Sequence, residues 1–148
     1  MENNIRDNGA QPLKRVVVVG AGFAGLNLVK HLDAEMFDIT VIDRDNYHYF
    51  PPLFYQVASA GLDPASICFP LRREFRKRGS SNIHFHLGEV RHIDCSRHVV
   101  YTESEEVKYD ILIICAGTTN NFFNMPALRD KVFTMKSAPE SIRVRNEV

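Results

Sequence analysis

The apolar positions near the start of the chain predict one β-α-β unit. Residues 15–20 read RVVVVG, and a continuous run of β-branched residues is typical of a parallel strand buried on both faces. Leucine and valine at helical spacing across 26–32 predict a helix after it. DITVID at 38–43 predicts a second strand. The unit spans about 30 residues, so the two strands should be parallel and joined by a right-handed crossover.

A second group of strands is predicted further along. NIHFHLG at 82–88 is one strand, and EVRHID at 89–94 forms an antiparallel pair with HVVYTE at 98–103. Residues 103–110 continue this pair as a β-meander. ILIICAG at 111–117 is again wholly apolar, so we place it in the parallel sheet. The predicted class is therefore α/β, a parallel sheet with an inserted antiparallel meander.

The segment between these groups is rich in aromatic residues and proline. NYHYFPPLFYQVASAG at 46–61 contains two adjacent prolines, which break regular structure. Asp63–Pro64 predicts a helix start, because aspartate is a good N-cap and proline fits the first helical position. The helix is predicted to resume after Pro70 as LRREFRKR and to stop at Gly79.

The two ends of the chain differ in character. Residues 1–12 are polar, and we expect a flexible tail there. VFTMK at 132–136 predicts a short strand. The S-x-x-E spacing of a capping box predicts a helix over 137–148, which stops after about three turns. We expect one domain over 13–148 whose last helix is cut short.

Composition narrows the classes of function. The chain has 148 residues with 18 basic and 18 acidic side chains, and this neutrality argues against a nucleic-acid partner. It shows neither the roughly 20-residue apolar run of a bilayer span nor the apolar core of a signal peptide, which favours a cytoplasmic location. The three cysteines lack CxxC spacing, and His84 and His86 lack a third ligand. Neither a redox-active cysteine pair close in sequence nor a metal site is indicated.

The strongest chemical signal is a glycine motif after the first strand. Gly20, Gly22 and Gly25 form G-x-G-x-x-G between a predicted strand and a predicted helix. The first glycine allows a tight turn, the second lets a pyrophosphate approach the backbone, and the third lets the helix pack close to the sheet. The N–H groups of Phe23, Ala24 and Gly25 open the helix without internal partners, so they can bind phosphate oxygens.

An acidic residue stands where this motif requires one. Asp43 ends the second predicted strand, 18 residues beyond Gly25, where a carboxylate can accept hydrogen bonds from the ribose of the adenosine. A carboxylate there favours a free 2′-hydroxyl, as in NAD or FAD, over NADP, although the neighbouring Arg44 slightly weakens this preference. The residues around the motif do not distinguish NAD from FAD as the bound cofactor.

Longer stretches resemble one family. VVVVGAGFAGL, NYHYFPPLFYQVASAGL, LGEVRHID, YDILIICAGTTNNFF and MKSAPESIRVRNE are similar to segments of type II NADH dehydrogenases, flavoproteins that pass electrons from NADH to quinone. The resemblance runs from about residue 14 to the end, and its aromatic middle piece is the most specific. It implies a Rossmann-like FAD-binding domain, truncated before the NADH-binding domain.

The resemblance also implies roles for single residues. The FAD diphosphate would lie against Gly20, Gly22, Phe23, Ala24 and Gly25, and the adenosine ribose against Asp43 with Arg44 beside it. Val90 would offer backbone contacts to adenine, and Ala116 and Gly117 would lie near the diphosphate and ribityl chain. His48 and Gln56 would be polar contacts to the isoalloxazine ring. Cys115-Ala116-Gly117 departs from the usual A-T-G pattern of the family and lacks its hydroxyl group.

The activity implied for the parent enzyme is NADH:quinone oxidoreduction in a respiratory chain. Hydride would pass from NADH to the flavin and electrons then to quinone, through regions that this chain lacks; it carries no catalytic residue and is predicted to be inactive alone. A second G-x-G-x-x-G does not occur after Gly25. The parent would be peripheral on the inner face of the cell membrane, and the fragment could self-associate through apolar surface.

Two other functions stay open. One is another quinone-reducing flavoprotein, such as a sulfide:quinone oxidoreductase, which would need reactive cysteines near the flavin. Cys68 and Cys115 lie in apolar contexts, which argues against it. The other is a non-catalytic module that binds FAD or an ADP-containing ligand.

Overall fold

The computed structural model describes residues 12–77, 79 and 81–147. Residues 1–11 of the predicted tail lie outside the described residues, as does residue 148 at the end of the last predicted helix. The described chain forms, in order, β1 (Lys14–Val19), α1 (Phe23–His31), β2 (Phe37–Asp43), β3 (Tyr47–Tyr49), α2 (Phe54–Ala58), β4 (Cys68–Pro70), α3 (Leu71–Arg76), β5 (Ile83–Leu87), β6 (Val90–Asp94), β7 (Val99–Thr102), β8 (Glu106–Lys108), β9 (Ile111–Ile114) and α4 (Ala138–Glu147).

A four-stranded parallel sheet forms the centre, in the order β5-β2-β1-β9. This confirms the predicted β-α-β unit and the return of the apolar run at 111–117 to the sheet, where Ile111–Ile114 form the strand. Side chains of β1 alternate between two cores. Val16 and Val18 pack with α1 and α3, whereas Val17 and Val19 pack against the meander. Burial on both faces explains why the last four residues of β1 are all valine.

The meander is confirmed as a separate antiparallel sheet, β6-β7-β8. Its first connection turns at Asp94, whose Oδ1 accepts hydrogen bonds from the backbone N–H groups of Ser96 and Arg97 at 2.9 and 3.0 Å. The fully buried Val99 and Val100 anchor β7, and Val100 belongs to the core on the meander face of the parallel sheet. The meander therefore covers one face of that sheet, and α1 and α3 cover the other.

The aromatic segment supplies the first strand of a short hairpin that the sequence did not predict. Tyr47–Tyr49 pairs antiparallel with Cys68–Pro70. Between them lie a 3-10 turn, α2 and a second 3-10 turn at Pro64–Ile67, where the Asp63 side chain accepts a hydrogen bond from Ala65 N–H at 2.8 Å. The predicted helix start at Asp63 is thus confirmed, but it opens one turn only, because the chain then enters β4.

The last part of the chain differs from its prediction at one point. The strand predicted over 132–136 is wrong. A 3-10 turn at Pro126–Leu128 leads into that segment, and the Val132 N–H donates to the carbonyl of Leu128 at 3.1 Å instead of pairing with a strand. The predicted last helix is present as α4, which packs on α2 through Ala138. Within the described ranges, no helix is long and apolar enough to cross a membrane.

Candidate functional site

The turn from β1 into α1 is closely packed at its two outer glycines. Gly20 has a φ of +97°, and a methyl group there would overlap the carbonyl of Cys115 and lie 3.1 Å from Ala116 Cα. A methyl group at Gly25 would overlap the carbonyl oxygen of Gly20. The turn therefore fits against β9 on one side and its own helix on the other only because these positions lack side chains.

The middle glycine faces open space. A methyl group at Gly22 would have no described heavy atom within 4 Å. Phe23 and Ala24, which follow it, are exposed, and the first hydrogen bond of α1 runs from Leu26 N–H to the Gly22 carbonyl at 2.9 Å. The N–H groups of residues 22–25 have no hydrogen-bond partner in the described part of the chain, so they are the free donors of a helix start. We call residues 20–25 the glycine turn; its open side is a cradle that suits a diphosphate.

Asp43 lies at the end of β2, directly beside this turn. Its Oδ2 accepts a hydrogen bond from the Ala21 N–H at 2.6 Å, and its Oδ1 accepts one from the Asp45 N–H at 2.9 Å. Each carboxylate oxygen can accept more than one hydrogen bond, so both retain capacity for hydroxyl donors. Arg44 is exposed and extends its Nε to within 3.7 Å of Asp45 Oδ2.

His48 lies beneath the turn rather than on its open side. The ring is only 5% exposed, and its Nδ1 is 3.0 Å from the Ala21 carbonyl oxygen. Phe69 lies 4.9 Å from it, centroid to centroid, and Phe23 meets it edge-on at 5.4 Å. The structure thus places His48 against the protein side of the glycine turn, whereas the family resemblance implied contact with the flavin ring.

Ala116 and Gly117 form the second wall of the cradle. The Cys115 N–H donates to the Val19 carbonyl at 2.7 Å, which holds the end of β9 beside the end of β1. Ala116 and Gly117 are both exposed, and Gly117 has a φ of +71°. The loops that follow the adjacent parallel strands β1 and β9 therefore meet at the carboxyl end of the sheet, where α/β proteins bind their ligands.

The two remaining predicted contacts, Val90 and Gln56, lie farther from the glycine turn. The Gly88 N–H donates to the Asp43 carbonyl at 2.9 Å, so the half-buried Val90 begins β6 close to the end of β2. Gln56 is half-buried on α2, and its Nε2 donates to the Tyr55 hydroxyl at 2.9 Å. Among the described residues, no hydrogen bond joins Gln56 to the glycine turn.

Sequence reasoning missed the part played by Ala21. Its N–H is bonded to Asp43 and its carbonyl oxygen to His48, so the residue between the first two glycines is held from both sides. The G-x-G pattern leaves this position undefined, and only the small size of Ala21, which is 2% exposed, hints at the close packing. In the neighbouring hairpin, burial raises the pKa of the Tyr49 phenol.

Comparison with known proteins gives a family and several relatives. The family described as pyridine nucleotide-disulphide oxidoreductase matches residues 14–146. The chain is 35% identical over 145 residues to the type II NADH:quinone oxidoreductase Ndh of Mycobacterium tuberculosis, covering 94% of this chain and 31% of the relative. It is 28% identical to the mitochondrial external alternative NAD(P)H-ubiquinone oxidoreductase B4 of Arabidopsis thaliana, covering 96% and 26%.

Solved structures support the predicted fold class. The NDH2 of Plasmodium falciparum, in complex with NADH, superposes with a TM-score of 0.83 at 23% identity, covering 90% of this chain and 28% of that one. The sulfide:quinone oxidoreductase of Aquifex aeolicus gives 0.81 at 26% identity, covering 90% and 31%. The chain thus spans less than a third of the length of these relatives.

Proposed function

The chain belongs to the pyridine nucleotide-disulphide oxidoreductase family, and on that premise we propose that it is the FAD-binding part of an NADH:quinone oxidoreductase. The open cradle at Gly22 carries the proposal. In the described part of the chain, Gly22 is the glycine of the motif where a Cβ would have no protein atom within 4 Å, so the space beside it is left for a ligand. The names of the two relatives, both NADH or NAD(P)H oxidoreductases with a quinone acceptor, supply the reaction.

The residues of the cradle fit the parts of FAD. The N–H groups of Phe23, Ala24 and Gly25 would hold the diphosphate, and Asp43 would accept the ribose hydroxyl groups. The Asp43 carboxylate would repel a 2′-phosphate, which favours FAD over an NADP-type ligand. The exposed backbone at Ala116 would lie along the ribityl chain of FAD, which leads to the flavin ring. When bound, the flavin supplies the two-electron chemistry, and the protein supplies its position.

The relatives also suggest where the substrates NADH and quinone bind. We propose that the sites for NADH and quinone lie in those parts of the relatives that this chain does not cover, and that the whole enzyme is peripheral on the inner face of the cell membrane. We propose also that the chain alone self-associates, because β9 is an edge strand of the sheet in the described part of the chain and Ile114 beside the cradle is 63% exposed.

A titration with FAD tests the proposed cofactor. The wild-type chain should bind FAD, and Gly22→Ala should weaken binding at least about tenfold, because the methyl group enters the space of the diphosphate. Gly61→Ala is the matched control, since a methyl group there makes ordinary contacts, the nearest at 3.5 Å. Both variants should keep the melting temperature of the wild type. Equal FAD affinity in all three proteins would contradict the assignment of the cradle.

The reaction is tested with the protein that the native gene encodes. NADH should reduce a quinone analogue in the presence of FAD, and sulfide should not. Sulfide-driven reduction would instead favour the second candidate, suggested by the 26% identity to the Aquifex aeolicus enzyme. FAD binding with neither activity, together with equal affinity for ADP, would favour a non-catalytic binding module.

A further inference from the structure

We propose that His48 is a positioning residue of the dinucleotide site, which aims the Gly22 N–H at the ligand without touching the ligand itself. The proposal rests on the proposed function, because it assumes that the cradle holds a dinucleotide. It differs from the flavin-ring contact that the resemblance implied. It is argued from the hydrogen bond between the His48 ring and the Ala21 carbonyl.

The chemistry of that hydrogen bond fixes the state of the ring. A carbonyl oxygen only accepts hydrogen bonds, so Nδ1 of His48 must carry the proton and donate it to Ala21. The N–H of Ala21 donates in turn to Asp43 Oδ2. The peptide groups on both sides of Ala21 are therefore each fixed by one side chain from the segment that follows α1.

The planarity of the peptide carries this constraint to the ligand side. The carbonyl of Ala21 and the N–H of Gly22 belong to one trans peptide and point in opposite directions. Because His48 binds the carbonyl, the Gly22 N–H must point away from the imidazole. Among the described residues this N–H has no hydrogen-bond partner, and the space beside Gly22 is open. It is therefore a fixed donor facing the cradle.

The imidazole of His48 is held in place by its backbone pairing and by two neighbouring rings. Its backbone lies in β3, where His48 is paired with Phe69 of β4. The Phe69 ring covers the imidazole at 4.9 Å, and Phe23 meets it edge-on at 5.4 Å. A buried donor held in this way loses little entropy when it binds its acceptor. The unpredicted hairpin thus has a local role, since it places one donor under the glycine turn.

Two substitutions separate positioning from packing. His48→Leu fills the space without a donor, so it should weaken FAD binding about tenfold. His48→Asn carries an amide nitrogen near the place of Nδ1 and should recover most of the wild-type affinity. His84→Leu is the control: this imidazole lies 3.1 Å from Asp38, near the start of β2, whereas Asp43 and the glycine turn lie at its end. If His48→Asn and His48→Leu bind FAD equally weakly while His84→Leu binds normally, His48 acts only through packing and the proposal is overturned.

A second readout is independent of the cofactor. Long-range ¹H–¹⁵N spectra of the ligand-free chain should show His48 protonated at Nδ1, and this signal should be absent from His48→Leu. A neutral ring protonated at Nε2 would overturn the proposal whatever FAD does. If the signal is present but the wild type binds neither FAD nor ADP, the proposed function is wrong. The hydrogen bond by which His48 fixes the glycine turn is then still supported.

Discussion

At the scale of single residues, Gly25 leaves the least room for a side chain among the described glycines. A methyl group there would overlap the Gly20 carbonyl, and both groups belong to backbone that is fixed by the sheet and by α1. We expect Gly25→Ala to lower the free energy of unfolding by about 1–3 kcal/mol, the usual cost of overpacking. Urea denaturation of the chain without cofactor measures this. Gly22→Ala is the comparison, and it should unfold at the wild-type urea concentration.

Asp110 provides a residue-scale prediction on pH. Arg15 donates to both of its carboxylate oxygens, at 2.7 Å from Nη2 and 2.8 Å from the backbone N–H, and these hydrogen bonds lower the Asp110 pKa from 3.8 to about 2. Because the pKa is lower in the folded state, the pair stabilises the fold above pH 3.8, and this stabilisation is lost as the pH falls toward 2.

The experiment compares wild type with Asp110→Asn. The variant should be less stable at pH 6, and the difference between the two proteins should shrink as the pH approaches 2. Urea midpoints over this range measure it, and Arg15→Gln should reproduce the effect from the other partner. A difference that is constant across pH would show that the charge on Asp110 does not contribute.

Residue identities at the site were predictable only where they follow from the backbone. Gly20, Gly25 and Asp43 could be assigned because a strand–turn–helix around a diphosphate allows few alternatives. His48 could not be placed, since its partner Ala21 lies 27 positions away and nothing in the local sequence specifies that contact. The burial of the ring, and hence its orientation, is a property of the tertiary structure.

At the scale of elements, α4 depends on its first turn. The Ser137 hydroxyl accepts a hydrogen bond from the Glu140 N–H at 3.3 Å, as in a capping box. The return contact is displaced by one residue, because the Glu140 carboxylate accepts from the Lys136 N–H at 2.6 Å rather than from that of Ser137. The cap is therefore shared between two backbone donors.

Removing this cap should destabilise the fold modestly. Ser137→Ala should cost about 1 kcal/mol in free energy of unfolding, the usual value for an N-cap serine. Ser104→Ala, on an exposed loop of the meander, is the matched control and should be neutral. Chemical denaturation followed by circular dichroism measures both. A Ser137→Ala protein as stable as the control would mean that α4 is held by its packing on α2 alone.

Elements were predictable in proportion to their length and burial. The parallel strands β1, β2 and β9 were found because burial on both faces demands runs of apolar, largely β-branched residues. The three-residue strands β3 and β4 were missed, since each is too short for a period to emerge and they pair across an intervening helix. The strand predicted over 132–136 was wrong because its apolar composition does not reveal that the Val132 N–H is used in a turn and the Lys136 N–H by the Glu140 side chain.

At the scale of the whole molecule, the β9 edge should govern association. Ile114 is 63% exposed on an edge strand, which favours pairing with another copy. Ile114→Lys should weaken self-association about tenfold, because a charge on an edge strand opposes strand addition. Met36→Lys, at a position equally exposed at 62% between α1 and β2, should leave it unchanged. Sedimentation velocity across a concentration series distinguishes the two variants. Equal self-association of both would exclude the β9 edge as the association surface.

The position of β1 in the sheet also sets an order of events during synthesis. One neighbour, β2, follows it directly, but β9 comes much later: Arg15 and Asp110, which flank this pairing, are 95 positions apart. A ribosome needs about 5 to 20 seconds to add that many residues. During this interval the nascent chain carries the glycine turn and a valine-rich strand edge with no partner. The second wall of the cradle does not yet exist, so the dinucleotide site cannot be complete before Gly117 has left the ribosome.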